Sequence, residues 1–161
     1  MLLDINKLYQ FLSRREGNDK RRMKMLERRL GLLEPIYKEL NRDAFLELWQ
    51  RLLVELAEIK NSTFELLFET IIVKYEEEHG ENSAMQAKRL RSKKHVKKVT
   101  RCNQLGYEAA EMYKQIVEIL LKEEDEIENQ AMTYIQTVCT AKFNIAKIWS
   151  RVILASPEER L

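Results

Sequence analysis

Glycine and proline are scarce, with four and two residues in a chain of 161. That is well below their usual share in soluble domains. Few breakers mean few tight turns, so the elements must be long. Cysteine is equally thin. Cys102 and Cys139 are too few for a disulfide framework, and no CxxC occurs, which points to a reduced, intracellular setting. The N-terminus reads MLLDINKLY, with Asp4 where an apolar core of a signal peptide would lie. No run approaches the roughly 18 apolar residues of a membrane span. Charge of one sign is not in surplus: 28 basic and 26 acidic residues leave a net +2, so bulk attraction to nucleic acid or membrane is not called for.

Site chemistry is also sparse. The two histidines, His79 in an acidic segment and His95 in a lysine run, neighbour no cysteine and stand at no metal-ligand spacing. Both read as exposed. There is no GxSxG, Walker loop or GxGxxG. Adjacent carboxylates such as Glu76/Glu77 and Glu123/Glu124 have the chemistry for acid–base work. On polar segments without convergent partners they read as solvated instead. Glu76-x-x-His79 has the spacing of a di-metal bundle ligand pair, but it lies at a helix end and no second copy exists. Neither an enzyme nor a cofactor is expected.

What is present is helix-forming. The chain is 45% hydrophobic, enough for one domain with a core, and rich in Glu, Lys, Leu, Arg and Ala. The expected fold is all-α, a single helical domain over 1–161 with long helices at about 5–40, 43–78, 85–122 and 128–154. In the first, Met23, Leu26, Leu30, Leu33 and Tyr37 repeat at three and four residues. Gly17-Asn18-Asp19 is its weak point, and Pro35 predicts a kink or restart near Leu33 and Glu34. Asn41 or Asp43 can cap the second helix. Its stripe is Phe45, Leu48, Leu52, Leu56, Ile59, Thr63, Leu67, Ile71 and Tyr75, which Asn61-Ser62-Thr63 has no need to interrupt. Residues 76–83 (EEEHGENS) read as a loop. The third stripe is Val96, Val99, Cys102, Gly106, Ala109, Tyr113, Ile116 and Leu120; the fourth is Ile135, Val138, Ile145, Ile148, Trp149 and Val152. Pro157 ends the last helix. Gly106 and Ala109 before Tyr113, and Ala146 before Trp149, set small residues beside an aromatic, as helical-hairpin repeats do where helices approach closely. Trp49 and Trp149 read as packing anchors. Met23, Met112 and Met132 read as core filler rather than an adaptable surface.

Two basic blocks remain. Lys88, Arg89, Arg91, Lys93, Lys94, Lys97, Lys98 and Arg101 contain no acid between them. Lys93, Lys94, Lys97 and Lys98 are candidate anion-binding residues, for phosphates or an acidic protein surface. An import-like tract and a merely solvated helix end are the other readings. No aromatic interleaves the run, which argues against stacking on single strands. The earlier block, Arg14, Arg15, Lys20, Arg21, Arg22, Lys24, Arg28 and Arg29, is interleaved with acids and reads as structural, its stems covering apolar surface.

Residues 21–35 (RRMKMLERRLGLLEP), followed by Leu40-Asn41, resemble a helix of the KIF-binding protein (kinesin-binding protein) family. So do residues 141–153 (AKFNIAKIWSRVI) with their Ala155-x-Pro157 ending, and between them His95-Val96-Lys97-Lys98 leading to Ala109-x-x-x-Tyr113 falls in the family's order. The resemblance runs from about residue 5 onward and is to the family's C-terminal half. It implies a right-handed α-solenoid of antiparallel, tetratricopeptide-like helix pairs that binds kinesin motor domains and keeps them from microtubules. It further implies a cytoplasmic, cytoskeleton-associated scaffold acting in mitochondrial and axonal transport. The family's N-terminal repeats are missing, and the chain stops where the family continues, so part of a longer solenoid is expected. The basic run is not a family feature. A motor surface that meets acidic tubulin must be basic, and a competitor for it should offer carboxylates. Glu76, Glu77, Glu78 and Glu81, with Glu123, Glu124, Asp125 and Glu126, are then the candidate protein-binding residues. The other readings are a basic module binding nucleic acid or an anionic surface through residues 88–101, and a generic helical-hairpin adaptor.

Overall fold

The computed structural model describes residues 2–79, 93–122 and 131–151. Among the described residues five helices follow one another: α1 (Leu2–Arg15), α2 (Asp19–Glu39), α3 (Leu46–His79), α4 (Lys93–Lys122) and α5 (Ala131–Arg151). Each packs antiparallel on the next, and α3 also touches α5. Among the described residues there is no strand.

The expected first helix is two. The chain leaves α1 after Arg15, and Asn18 then caps α2 by accepting from the Arg21 amide at 3.1 Å. The Glu16 side chain accepts in turn from the Asn18 amide at 2.9 Å. The capping chemistry of Asn18 offers the backbone an alternative to continuing the helix, and with Gly17 beside it the break wins. The restart expected at Pro35 does not occur: α2 runs through it to Glu39. Leu26 and Leu33 are buried on the stretch before the proline, and Leu40 closes the last turn onto the Ile36 carbonyl at 2.9 Å. Packing on both sides of one missing hydrogen bond outweighs its loss. Asn41 is the residue that caps the approach to α3, accepting from the Ala44 amide at 3.1 Å. The stretch 76–79, expected as loop, is the end of α3. Glutamate is a strong helix former, and no breaker precedes Gly80.

α3 is apolar on two faces because it is packed from two sides. Leu52, Leu56, Ile59 and Leu66 form one core with Leu26 and Leu33 of α2. Trp49, Leu53, Ala57, Phe64 and Ile71 form another with Cys102, Ala109 and Tyr113 of α4 and Ala141 and Ile148 of α5. Leu52 and Leu53, and likewise Leu56 and Ala57, are one residue apart in sequence, which is a 100° rotation. Met112 and Tyr37 touch both cores, and Met23 borders the first. Burial raises the Cys102 thiol to about 12, and its Sγ donates to the Phe64 carbonyl.

Gly106 is the closest approach of α4. A Cβ there would meet the Phe64 ring at 3.0 and 3.1 Å and Ile148 at 3.3 Å. Small residues do serve helix approach here, as expected for Gly106 and Ala109. The matching expectation for Ala146 and Trp149 is not met: Ala146 is exposed and Trp149 is 43% exposed. The buried side of α5 carries Ala141 and Ile148. Trp149 stands 100° round from Ile148, with Ile135, Cys139 and Phe143 on the outward side. Its ring meets Tyr107, centroids 5.4 Å apart. Phe45 and Val96, expected in their stripes, are exposed as well, each near the beginning of its helix.

Charged residues tie the layers together. Arg29 of α2 is buried; it donates to Glu55 of α3 and to Asn6 of α1, both at 2.9 Å. Asn6 donates to the same Glu55 at 3.0 Å, closing a ring across three helices. Lys60 of α3 reaches Glu34 of α2 at 3.1 Å and also Glu108 of α4. Lys147 of α5 pairs with Glu65 of α3. Structural use of the earlier basic block is thus seen at Arg29.

Two stability outcomes are expected. Phe64 and Ile148 are fully enclosed and cannot swing away, so the clash outweighs the helix-propensity gain of about 1 kcal/mol from losing a glycine. Gly106→Ala lowers stability by about 1 kcal/mol and Gly106→Val by about 3 kcal/mol, read from urea unfolding midpoints. Glu55→Ala strands a buried guanidinium and costs about 3 kcal/mol, whereas Arg29→Met with Glu55→Met costs less, because no uncompensated charge remains.

Candidate protein-binding surface

The candidate acidic residues belong to opposite ends of the α3–α4 pair. The backbone of Glu76, Glu77 and Glu78 lies in the last turns of α3. Glu81 lies outside the described residues, as do Glu123, Glu124, Asp125 and Glu126. The former follows the end of α3; the latter follow Lys122, the end of α4. α4 has 30 residues, a length of about 45 Å at 1.5 Å per residue. The antiparallel register is explicit in the side chains: Phe64 meets Gly106, and Lys60 meets Glu108. The two ends of α4 are therefore not brought together.

The candidate cations Lys93, Lys94, Lys97 and Lys98 stand in the first two turns of α4. Lys97 and Lys98 are exposed. Arg101, from the same run, pairs with Glu27 of α2 at 2.7 Å, so the run is not wholly offered to an external anion. Lys88, Arg89 and Arg91 lie outside the described residues. Among those that are described, no group of three or more histidine, cysteine or acidic side chains converges on a metal position, and no helix is long and apolar enough to cross a membrane.

A groove of about 540 Å³ opens between α3, α4 and α5, with Arg14 of α1 at its edge. Its polar lining includes Glu58 and Asn61 of α3, Tyr113 of α4 and Asn144 of α5. Burial pushes the Glu58 carboxyl above its usual value, and the neighbouring Glu55 pushes the same way; Arg14 and Arg29 oppose them. Burial also raises the Tyr113 hydroxyl, with Glu58 adding to the effect, while the amides of Asn144 and Asn61 pull it back. The Asn61 side-chain oxygen is buried without a hydrogen-bond partner. A buried acceptor left unmet costs about 1–3 kcal/mol, so Asn61 is a local cost beside the groove.

Neither the stripe periodicity nor any motif singles out this groove. The available signal was the recurrence of Glu58, Asn61, Ser62 and Glu65 at i, i+3, i+4 and i+7 along an otherwise apolar helix. Tyr113 was legible only as core, which it is, at 5% exposure.

The raised Glu58 sets a pH response. A carboxyl whose folded-state value lies above its unfolded one binds its proton more tightly when folded. Its stabilising effect is full below the ordinary value near 4.5 and declines as pH rises through the raised value. Glu58→Gln is expected to remove that component of the decline in thermal stability between pH 4 and pH 7, measured by calorimetry.

A family model described as KIF-1 binding protein C terminal matches residues 1–161. No curated protein and no solved structure matches the chain. Matched over its whole length, and with helices as the regular structure of its described residues, the chain belongs to the KIF-1 binding protein C-terminal family.

Proposed function

We propose that this chain is a non-enzymatic scaffold that binds the motor domain of a kinesin and hinders its attachment to microtubules. The family match over the full length carries the reading. In it, the five helices are consecutive hairpins of a right-handed, tetratricopeptide-like solenoid, part of a longer one, working in the cytoplasm beside the cytoskeleton. The single helical domain spans 1–161.

Charge supports the same reading. Tubulin is acidic, so the motor surface that meets it is basic, and the acidic residues Glu76, Glu77, Glu78 and Glu81 are proposed to contact it at one end. Glu123, Glu124, Asp125 and Glu126 are proposed to contact it at the other. The ends of α4 that these segments adjoin are about 45 Å apart. A domain of roughly 300 residues has a radius of gyration of about 19 Å, hence a breadth of the same order. One motor can in this reading be held at two places, and neither contact has to be strong alone.

The test is a pull-down of a recombinant KIF-1-class motor domain by the full chain, followed by microtubule co-sedimentation. The chain is expected to retain the motor and to shift it from the pellet to the supernatant. Reversing Glu123, Glu124, Asp125 and Glu126 to lysine is expected to weaken retention about tenfold or more and to flatten its salt dependence. Unchanged affinity and salt slope would remove these residues from the interface. Neutralising Lys93, Lys94, Lys97 and Lys98 leaves motor retention intact in this reading.

A further inference from the structure

α3 carries charged residues directed at its neighbours, and among the described side chains all but one of these that line a helix interface are matched. Glu55 meets Arg29, Lys60 meets Glu34 and Glu108, and Glu65 meets Lys147. Glu58 is the exception. Among the described residues its carboxylate accepts no hydrogen bond and makes no ion pair, although it is partly buried and lines the groove. Three residues on, Asn61 holds the one buried side-chain acceptor without a partner among the described residues. Residues at i and i+3 share a helix face, about 5–6 Å apart at Cβ. The Glu58 carboxylate and the Asn61 side-chain oxygen therefore share one face of α3, and Tyr113 lines the same groove.

The chemistry of the missing partner follows. It must donate hydrogen bonds, and it must carry positive charge, since Glu58 repels an anion. A phosphate or carboxylate ligand is thereby disfavoured. Lysine and arginine side chains offer three and five donors respectively, so one such group can satisfy both acceptors together. Tyr113 offers an aromatic wall for its cation. The volume of about 540 Å³ lies in the range of small-ligand sites, ample for one long side chain and the backbone that bears it. Arg14, the one cation among the described residues that line the groove, stands near enough to temper Glu58 without pairing with it, so an incoming cation meets some repulsion at the edge.

We propose that this groove receives a lysine or arginine side chain of a partner protein, held between the Glu58 carboxylate and the Asn61 amide oxygen. The inference deepens the motor-binding reading and rests on it, for a microtubule-facing surface supplies such side chains. It places a specific contact midway along α3, between the two acidic ends.

The experiment titrates the full chain against the recombinant motor domain at three salt concentrations. Glu58→Gln is expected to weaken binding about tenfold and to flatten the salt slope. Asn61→Asp adds a second carboxylate and is expected to tighten binding several-fold with a steeper slope, a gain that a merely structural role would not produce. Glu69→Gln, exposed elsewhere on α3, serves as the unchanged control. Motor binding that is indifferent to both groove variants overturns the inference while leaving the motor reading standing. If the wild-type chain binds no motor, that reading fails, and the groove is judged by a second probe. Ethylguanidinium is then titrated into the ¹⁵N-labelled chain. Shifts concentrated at the Asn61 side-chain amide and Tyr113, and lost in Glu58→Gln, sustain a cation site. Shifts that are absent, or spread evenly over exposed carboxylates, overturn it.

Discussion

Three charged residues of α3 hold the helical layers in register. Glu55, Lys60 and Glu65 are spaced five apart, and each step of five turns the helix by 500°, or 140° net. Each therefore serves a different set of neighbours: Glu55 the Arg29–Asn6 ring of α1 and α2, Lys60 α2 and α4, Glu65 α5. Buried ion pairs add little net stability compared with apolar packing. Their effect here is positional. A helix that slides by one turn against α3 strands a charge in the interior, so the alternatives to the observed register are expensive even where the leucines repack.

The apolar packing depends on the same helix. Among the described helices α3 alone contributes buried residues to both cores, and it can do so because Leu52 and Leu56 lie one residue away from Leu53 and Ala57. The second core closes where Gly106 lets α4 settle onto Phe64 and α5 onto both. At that point three helices meet within van der Waals contact. The groove lies about one to two turns further along the same three helices, beside Tyr113 and Asn144. Its shape is a consequence of how closely α4 and α5 are drawn to α3.

Beside the paired interface charges Glu55, Lys60 and Glu65, Glu58 and the unmet Asn61 oxygen are a local departure. Proteins tolerate such departures where something other than stability is served. The family is one named for binding a motor, and a binding surface needs groups whose hydrogen bonds are completed by the partner rather than by the chain itself.

Much of the architecture was legible before any coordinates. Scarce glycine and proline, and stripes at three and four residues, give long helices because helical geometry is local: each turn depends on residues within four of one another. The stripe from Cys102 to Ile116 on α4 was read in its true phase for that reason. The break at Gly17 and Asn18 was visible as a weak point, but whether it or Pro35 would interrupt the helix rested on what packs beside each. The outward turn of Trp149 was not legible, since an apolar stripe wider than the available neighbour does not say which of its edges is left over. Nor were the partners of Arg29, Lys60 and Glu65, or the lack of one for Glu58. A charge on a helix is compatible with solvent, a salt bridge or a ligand, and only the placement of residues up to 82 positions away decides between them. The sequence by itself determined the helical class, the order of the long helices and the family; the tertiary structure alone decided which charges are paired between helices and which are left unpaired, because that is a matter of distance across helices and not along them.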